Sequence, residues 1–530
     1  MRSDLRRAAV AASGGLCWAL SHPPVGAWPL SFLVLPLLLV AIHGPELRRW
    51  RSPALGFLWG FVAFLGTLTW SLNITPGGEL AWPLLAAVQG AWLGAFAVIA
   101  RAWIGRPWSV AAISVLYVGI EVLRGSVPMG GFGWGELSYA HAGVTWLTPI
   151  ARLVGGHGIT LVVALAGAFL FEAWRRGADA IRELDGSATE RAAAMLPHAQ
   201  PALLGLAATL VVSVLATIEP PATVATAEVL IVQGNGTEDW GVGGIEEDRL
   251  VAASHLELTR AALLHRPADL VVWPESAVDD DPARRGDLAA ILDEGGALTD
   301  GRLVAGVKLD GPRDRTFLNT LVHVGADGAW AEPYVKRQLV PFGEFVPFRS
   351  ALTWVPPLRA VPYDGVPGEG PVDVDVHGIR LAAAICFETL FGDVIRDNVL
   401  GAEQRAQLVV AITNDASFGR GSETAQHLAQ SRLRAVETGR WVVHAAVSGA
   451  SAFVDPEGAL HEVTEVFEAT TLRAQVGLVD GTTPFLVTGD VLGRLLALAT
   501  VVEIIRRARA IAVQRSSRRR DPIAATESTT

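Results

Sequence analysis

Apolar runs crowd the first ~220 residues of this 530-residue chain, each near the ~20 residues that a helix needs to cross a bilayer. They predict helices at 7–21, 26–43, 53–73, 79–100, 107–123, 157–174 and 200–218, with an eighth at 485–505. An apolar fraction of 51%, only 18% charged residues and a mean hydropathy of +0.36 describe an integral membrane protein with a polar domain attached. A cleavable signal peptide over 1–21 is the competing reading. It is set aside because no small-residue cleavage site is convincing and another helix follows almost at once.

Arginine sets the orientation. Arg6 and Arg7 precede the first helix, and Arg48, Arg49 and Arg51 lie between the second and third. Arg101 and Arg106 follow the fourth, Arg175, Arg176 and Arg182 follow the sixth, and Arg506 and its successors follow the eighth. These are alternate loops, so the positive-inside rule predicts cytoplasmic termini and delivers residues 219–484 to the outer side. The loop Asn73–Leu80 has no basic residue, as an outside loop should.

Residues 225–480 read as a different kind of chain. Short β-rich runs (Ala227–Val232, Leu270–Trp273, Leu303–Val307, Thr320–Val324, Leu381–Ile385, Leu408–Ile412, Trp441–Ala446) alternate with helical stretches such as Glu246–Leu264 and Ser422–Thr438. That alternation predicts an α/β sandwich. The predicted organisation is therefore a membrane domain over 1–220 with about seven helices, a sandwich over 225–480, a last membrane helix at 485–505 and a disordered basic tail over 506–530.

Only two lysines occur in the chain, Lys308 and Lys336, and only two cysteines, Cys17 and Cys386. Cys17 lies in an apolar helix, so no disulfide framework is expected. Cys386 closes the buried-strand pattern Ala-Ala-Ala-Ile-Cys, Glu275 follows Trp273-Pro274, and Lys336 follows Tyr334-Val335. Taken singly, each has a bland reading: a small buried hydrophobe, a turn residue, a solvated charge. Together at strand ends they match a nucleophile, a base and an oxyanion partner. A carboxylate can take the proton of a thiol that is mostly protonated at neutral pH. A lysine is a compact charge beside a tetrahedral centre, where arginine's fork would crowd.

Trp273-Pro274-Glu275-Ser276, Tyr334-Val335-Lys336 and Ile385-Cys386-Phe387-Glu388, spaced 61 and 50 residues apart at the three key positions, resemble the catalytic motifs of the nitrilase superfamily. Within it the chain resembles the bacterial apolipoprotein N-acyltransferases. That likeness rests on Pro341-Phe342-Gly343-Glu344-Phe345-Val346-Pro347-Phe348, on Glu121-Val122-Leu123-Arg124-Gly125 with Gly131-Phe132 and Trp134, and on Asn414-Asp415, His427 and Arg432–Glu437. The resemblance implies a multi-pass membrane domain of about eight helices joined to a nitrilase-like α-β-β-α sandwich in the bacterial cytoplasmic (inner) membrane. It implies that Cys386 takes an acyl chain from a phospholipid as a thioester and passes it to the diacylglyceryl-cysteine amine of an apolipoprotein. Glu275 would act as base and acid, while Lys336 and the Phe387 backbone N–H hold the oxyanion. Glu344 and Glu388 would support the site, and Trp240 would meet substrate. Apart from the resemblance, the apolar stretch Phe342–Leu358 reads as a flap on the membrane interface whose Phe342 and Trp354 would meet substrate, or as packing onto helix ends. Phe387 stands where many relatives have tyrosine, and Ser417 where tryptophan is expected, departures that bear on substrate preference.

The same reading implies a monomer with no cofactor and no metal. A net charge of −10, with no basic patch in the polar half, argues against a nucleic-acid partner. The alternative reaction is a membrane-anchored amidase or nitrilase-type hydrolase with water as acceptor; a non-catalytic binding protein is the third reading. Seven membrane helices exceed what an anchor needs, and an intact Glu275, Lys336 and Cys386 speak against lost catalysis.

Overall fold

Side-chain alternation along the strands decides the architecture of the polar half. A computed structural model of the chain describes residues 2–48, 50–74, 76–182, 188–215, 218–236, 244–264, 266–352 and 354–520. Its strands are β1 (Thr223–Gln233), β2 (Leu270–Val278), β3 (Leu303–Asp310), β4 (Thr316–Val324), β5 (Tyr334–Val335), β6 (Asp364–Gly365), β7 (Val374–Val376), β8 (Ile379–Ile385), β9 (Leu408–Thr413), β10 (Val442–Ala446), β11 (Ala452–Val454), β12 (Leu460–Val463) and β13 (Thr470–Val479). One sheet runs β13-β1-β2-β3-β4-β5 with β6 beside β4, and the other runs β12-β11-β10-β9-β8-β7. β1, β2 and β3 are parallel neighbours, as are β8, β9 and β10.

Successive residues on a strand point to opposite faces. Val229, Ile231, Leu270 and Val272 accordingly pack between the sheets against Leu381, Ala383, Ile385, Val410 and Val443. Leu230, Val232, Val271 and Trp273 point the other way, onto Leu256, Leu288 and Leu292 of two covering helices, Ile245–Leu263 and Gly286–Leu298. On the far side Ala382, Ala384, Val409 and Ala411 meet Ile395 and Val399 of Gly392–Leu400 and Ala435 of Glu423–Thr438. The result is an α-β-β-α sandwich. Each large aliphatic side chain so buried stabilises by roughly 1.5–3 kcal/mol. Every strand and helix predicted in this half forms. β13 was not foreseen because half of it stays wet, yet it pairs antiparallel with β1 along nearly its whole length.

All eight apolar segments are helical: Arg2–Ser21, Ser31–Ile42, Arg51–Thr67, Gly78–Arg101, Ser109–Arg124, Gly156–Arg182, Ala188–Leu215 and Val491–Arg520. Among the described residues only Gly78–Arg101, Gly156–Ile181 and Pro197–Leu215 are long and apolar enough to cross a membrane by themselves. The expectation of eight comparable spans is thus met in part. Ser31–Ile42, Arg51–Thr67 and Ser109–Arg124 are short, while charges interrupt Arg2–Ser21 and Val491–Arg520. The last helix also departs from its prediction. Residues 484–488 form a separate turn ending at Gly489, with φ +66°, and the helix that follows runs to Arg520, into the segment read as a disordered tail. Residues 521–530 lie outside the described ones.

The sandwich rests on loops at one end of the helical bundle. Asn73 Nδ2 donates to Phe418 O at 2.6 Å, and Trp134 Nε1 to Gln426 Oε1 at 2.5 Å. Tyr139 Oη donates to Leu390 O at 3.2 Å, and Gly156 N to Glu437 Oε1 at 2.8 Å.

Candidate active site

β2 delivers Glu275. Pro274 brings no N–H to the ladder, and pairing with β3 breaks between Trp273 and Val278. β3 answers with Gly306, where a Cβ would lie 2.3 Å from Pro274 O and 2.6 Å from Glu275 Cα. Only glycine lets the two backbones approach so closely. β2 continues past Glu275 to Val278, so the carboxylate leaves a kink in the strand and not its end.

Lys336 follows β5 and is fastened by its N–H to Asn319 O at 2.8 Å. Its Nζ donates to Glu275 Oε1 at 3.1 Å and to Glu344 Oε1 at 2.9 Å. The lysine side chain is 1% exposed. Burial opposes its charge, but the Glu275 and Glu344 carboxylates outweigh that and hold the ammonium well above the ordinary lysine value. Asn319 Nδ2 bridges the same two oxygens at 2.7 and 3.0 Å. Asn414 N donates to Glu275 Oε2 at 2.8 Å, and Val340 N to Glu344 Oε2 at 2.8 Å. Both carboxylates are thereby fixed at two oxygens.

Cys386 ends β8 and begins a short 3₁₀ turn, Cys386–Leu390, with φ +51°. For an L-residue this left-handed conformation is strained, and such strain clusters at functional sites. The half-buried thiol is pushed well above the ordinary cysteine value, first by burial and then by the charge of Glu275, while Lys336 opposes both. Burial and the neighbouring carboxylate thus favour the protonated thiol.

Glu388 ties the two halves of the site together. Its carboxylate accepts from Ile385 N at 2.8 Å, Arg337 N at 2.6 Å, Gln338 N at 3.2 Å and Tyr334 Oη at 2.9 Å. Ile385, just before Cys386, and Arg337, just after Lys336, thus share one anchor. Burial pushes this carboxyl up despite its donors.

Two family models match this chain: the apolipoprotein N-acyltransferase N-terminal domain over residues 14–169, and carbon-nitrogen hydrolase over residues 231–482. The apolipoprotein N-acyltransferase of Geobacter metallireducens is 29% identical over 501 residues, which is 91% of either chain. That of Rhizobium meliloti is 32% identical over 492 residues, 86% of this chain and 87% of that one. The chain belongs to the apolipoprotein N-acyltransferase family. It is an enzyme whose sandwich is a carbon-nitrogen hydrolase domain. A solved CN-hydrolase superfamily protein of Xanthomonas campestris aligns at 18% identity, with a TM-score of 0.36, over 48% of this chain and 91% of its own.

Within this family member, folding brings together Glu275, Lys336, Glu344, Cys386 and Glu388, as the motifs led one to expect. Phe387 is buried and stacks toward Phe132 of the bundle, ring centroids 6.5 Å apart. Phe342 and Trp354 are 44% and 74% exposed on a surface segment, and Trp240 lies outside the described residues. Asn319 was missed, although a lone amide in the apolar run Phe317–Val324 was its signal. A further group was not foreseen: Asp415, His427 and His444 bring ligand-type atoms within 4.8 Å of one another. His427 already uses both ring nitrogens in protein hydrogen bonds, and His444 uses Nδ1 on Ser431.

Proposed function

We propose that the enzyme moves an acyl chain from a phospholipid to the α-amino group of a diacylglyceryl-cysteine at a lipoprotein N-terminus, through a thioester on Cys386. The observation that carries this reading is the buried Glu275–Lys336–Glu344 cage beside a thiol held in its protonated form. Glu275 takes the thiol proton as Sγ attacks the ester carbonyl, and the ammonium of Lys336 meets the developing oxyanion. The C–O bond then breaks, the lysophospholipid oxygen receives the proton from Glu275, and the acyl group stays on sulfur. In the second half the lipoprotein amine attacks the thioester, gives its proton to Glu275, and the C–S bond breaks with return of the proton to sulfur. Two substrates used in turn through a covalent enzyme give ping-pong kinetics.

A lipid donor and a lipidated acceptor require a site at the membrane surface. The 1–220 and 485–505 segments serve as a multi-pass domain of about eight helices, short ones included, and the 225–480 sandwich is the catalytic domain on the outer side, working as a monomer. Support for this orientation comes from the alternate arginine loops and from the docking of the sandwich near Thr67 and Thr69, one helix length from Arg51. Purified protein supplied with phospholipid and a diacylated lipopeptide should yield the N-acylated peptide and lysophospholipid. Intact-protein mass spectrometry should show an acyl adduct that is absent in Cys386→Ala. Free fatty acid with no N-acylated peptide would make the enzyme a hydrolase, and an adduct surviving in Cys386→Ala would refute the thioester.

A further inference from the structure

A fully buried histidine that the proposed chemistry does not use lies directly behind the nucleophile. His427, on the helix Glu423–Thr438, points Nε2 at the backbone carbonyl of Cys386, 3.1 Å away. Its Nδ1 faces Asp415 Oδ1 at 3.2 Å, Thr413 Oγ1 at 3.3 Å and Glu423 Oε1 at 3.4 Å. The Thr413 hydroxyl is itself committed to Asp415 Oδ1 at 2.7 Å. Both ring nitrogens therefore face acceptors, and only the imidazolium can donate from both. Burial opposes that charge, but Asp415 and Glu423 raise the ring to about 10. The remaining neighbours are His444, whose ring centroid is 5.0 Å away, and Trp134 of the bundle at 6.3 Å.

Besides the i→i+3 backbone bonding of its 3₁₀ turn, the Cys386 carbonyl has the Thr389 hydroxyl at 3.0 Å, whose single proton is also offered Gln430 Oε1 at 2.9 Å. His427 adds a side-chain donor from outside that turn. The preceding residue links the same helix turn to the bundle: Gln426 Oε1 accepts from Trp134 Nε1, and its Nε2 donates to Pro23 O at 3.1 Å and Thr67 O at 2.9 Å.

We propose that His427 is a positioning residue: its imidazolium, clamped by Asp415 and Glu423, holds the Cys386 carbonyl and so keeps the nucleophile in its left-handed conformation, while Gln426 references that clamp to the bundle. The proposal rests on the reading of Cys386 as nucleophile. It is tested on the full-length protein in detergent with His427→Phe, which keeps ring volume without a donor, and His427→Gln, whose amide nitrogen reaches about as far as Nε2. A misplaced nucleophile costs on the order of 100-fold, so His427→Phe should lose about that factor in kcat with KM nearly unchanged. His427→Gln should recover most of it. Iodoacetamide alkylation of Cys386, followed on its own peptide by mass spectrometry, should change with kcat across the two variants. Equal losses in Phe and Gln variants that track their melting temperatures would overturn the proposal in favour of plain packing, as would wild-type kcat in His427→Phe. Should His427→Phe fail to fold, His427→Asn, too short to reach the carbonyl, takes its place, and activity equal to His427→Gln refutes the role. Wild-type turnover in Cys386→Ala would instead sink the nucleophile reading and leave the alkylation comparison standing.

Discussion

Replacing Lys336 by methionine keeps an apolar stem of similar length and removes the ammonium that Glu275 and Glu344 share. Each contact near 3 Å corresponds to about 5 kcal/mol of attraction at an effective dielectric of ~20. Burying the ammonium costs several kcal/mol, so breaking the cage should destabilise the fold by about 3–5 kcal/mol. The two carboxylates, now joined only through Asn319, repel each other, and one should take up a proton more readily than it does in the unfolded chain. The sign follows from linkage. A folded state that binds the extra proton gains stability as pH falls, so the deficit of Lys336→Met should be largest near about pH 8 and shrink toward about pH 5. Wild-type Lys336 contributes no opposing slope there. Its folded value is raised, so its contribution is fully present below the ordinary lysine range and is lost only as pH climbs through the raised value. Differential scanning fluorimetry of the two proteins in one detergent at matched ionic strength reads the gap. A gap that stays constant or widens on acidification would refute the shared-cation account, as would full stability of the variant at the higher pH. Lys336→Arg restores charge, and should restore much of the stability, but the broad fork should leave turnover nearly as low as in the methionine variant.

Alkylation of Cys386 by iodoacetamide should rise at higher pH than for a free thiol. Glu275→Gln should move that profile to lower pH and Lys336→Met to higher pH, because the carboxylate raises the thiol and the ammonium lowers it; the reverse order would refute the assignment of these charges. Gly306→Ala should cost about 1–3 kcal/mol by thermal unfolding and lower turnover, since the new methyl must displace Pro274 or Glu275. Unchanged turnover would show that the glycine does not seat Glu275.

The sandwich was legible because its strands are buried on both faces and read as plain apolar runs. Leu408–Ile412 and Leu381–Ile385 needed no partner to be recognised. β13 escaped for the opposite reason, since its first half is partly wet and its pairing with β1 joins residues that lie far apart in the chain. The rare lysine and cysteine pointed to residues that folding brings close to Glu275, although Glu275 sits at a kink within β2 and not at the strand end expected of it. Asn319 stayed hidden, and His427 was noted only as part of the resemblance, because their contacts come from tertiary neighbours: one amide between two carboxylates, one ring behind a backbone carbonyl. Apolar helices were found by hydropathy, but an apolar count does not say where each one ends, as the 12 residues of Ser31–Ile42 illustrate.

Three non-glycine residues with positive φ adjoin the charged groups: Ser276 beside Glu275, Phe342 near Glu344, and Cys386 itself. Each such conformation costs about 1–3 kcal/mol, so it persists only where neighbours over-determine it. Hydrogen bonds to charged groups contribute about 1.5–3 kcal/mol each, and Glu388 alone accepts from three backbone N–H groups and a hydroxyl across the Cys386 turn. The carboxylates and the His427 clamp therefore do for the backbone what the Lys336 cage does for the side chains. Uncharging Glu388 should loosen the Cys386 turn and cost stability together, because its donors Tyr334 and Ile385 belong to the apolar layer between the sheets. Helix Glu423–Thr438 joins the two halves of the molecule near both its ends, with Gln426 and Glu437 on the bundle and His427 on the Cys386 carbonyl. A change at the bundle contact of Gln426 has only one residue to travel before it reaches the Cys386 carbonyl.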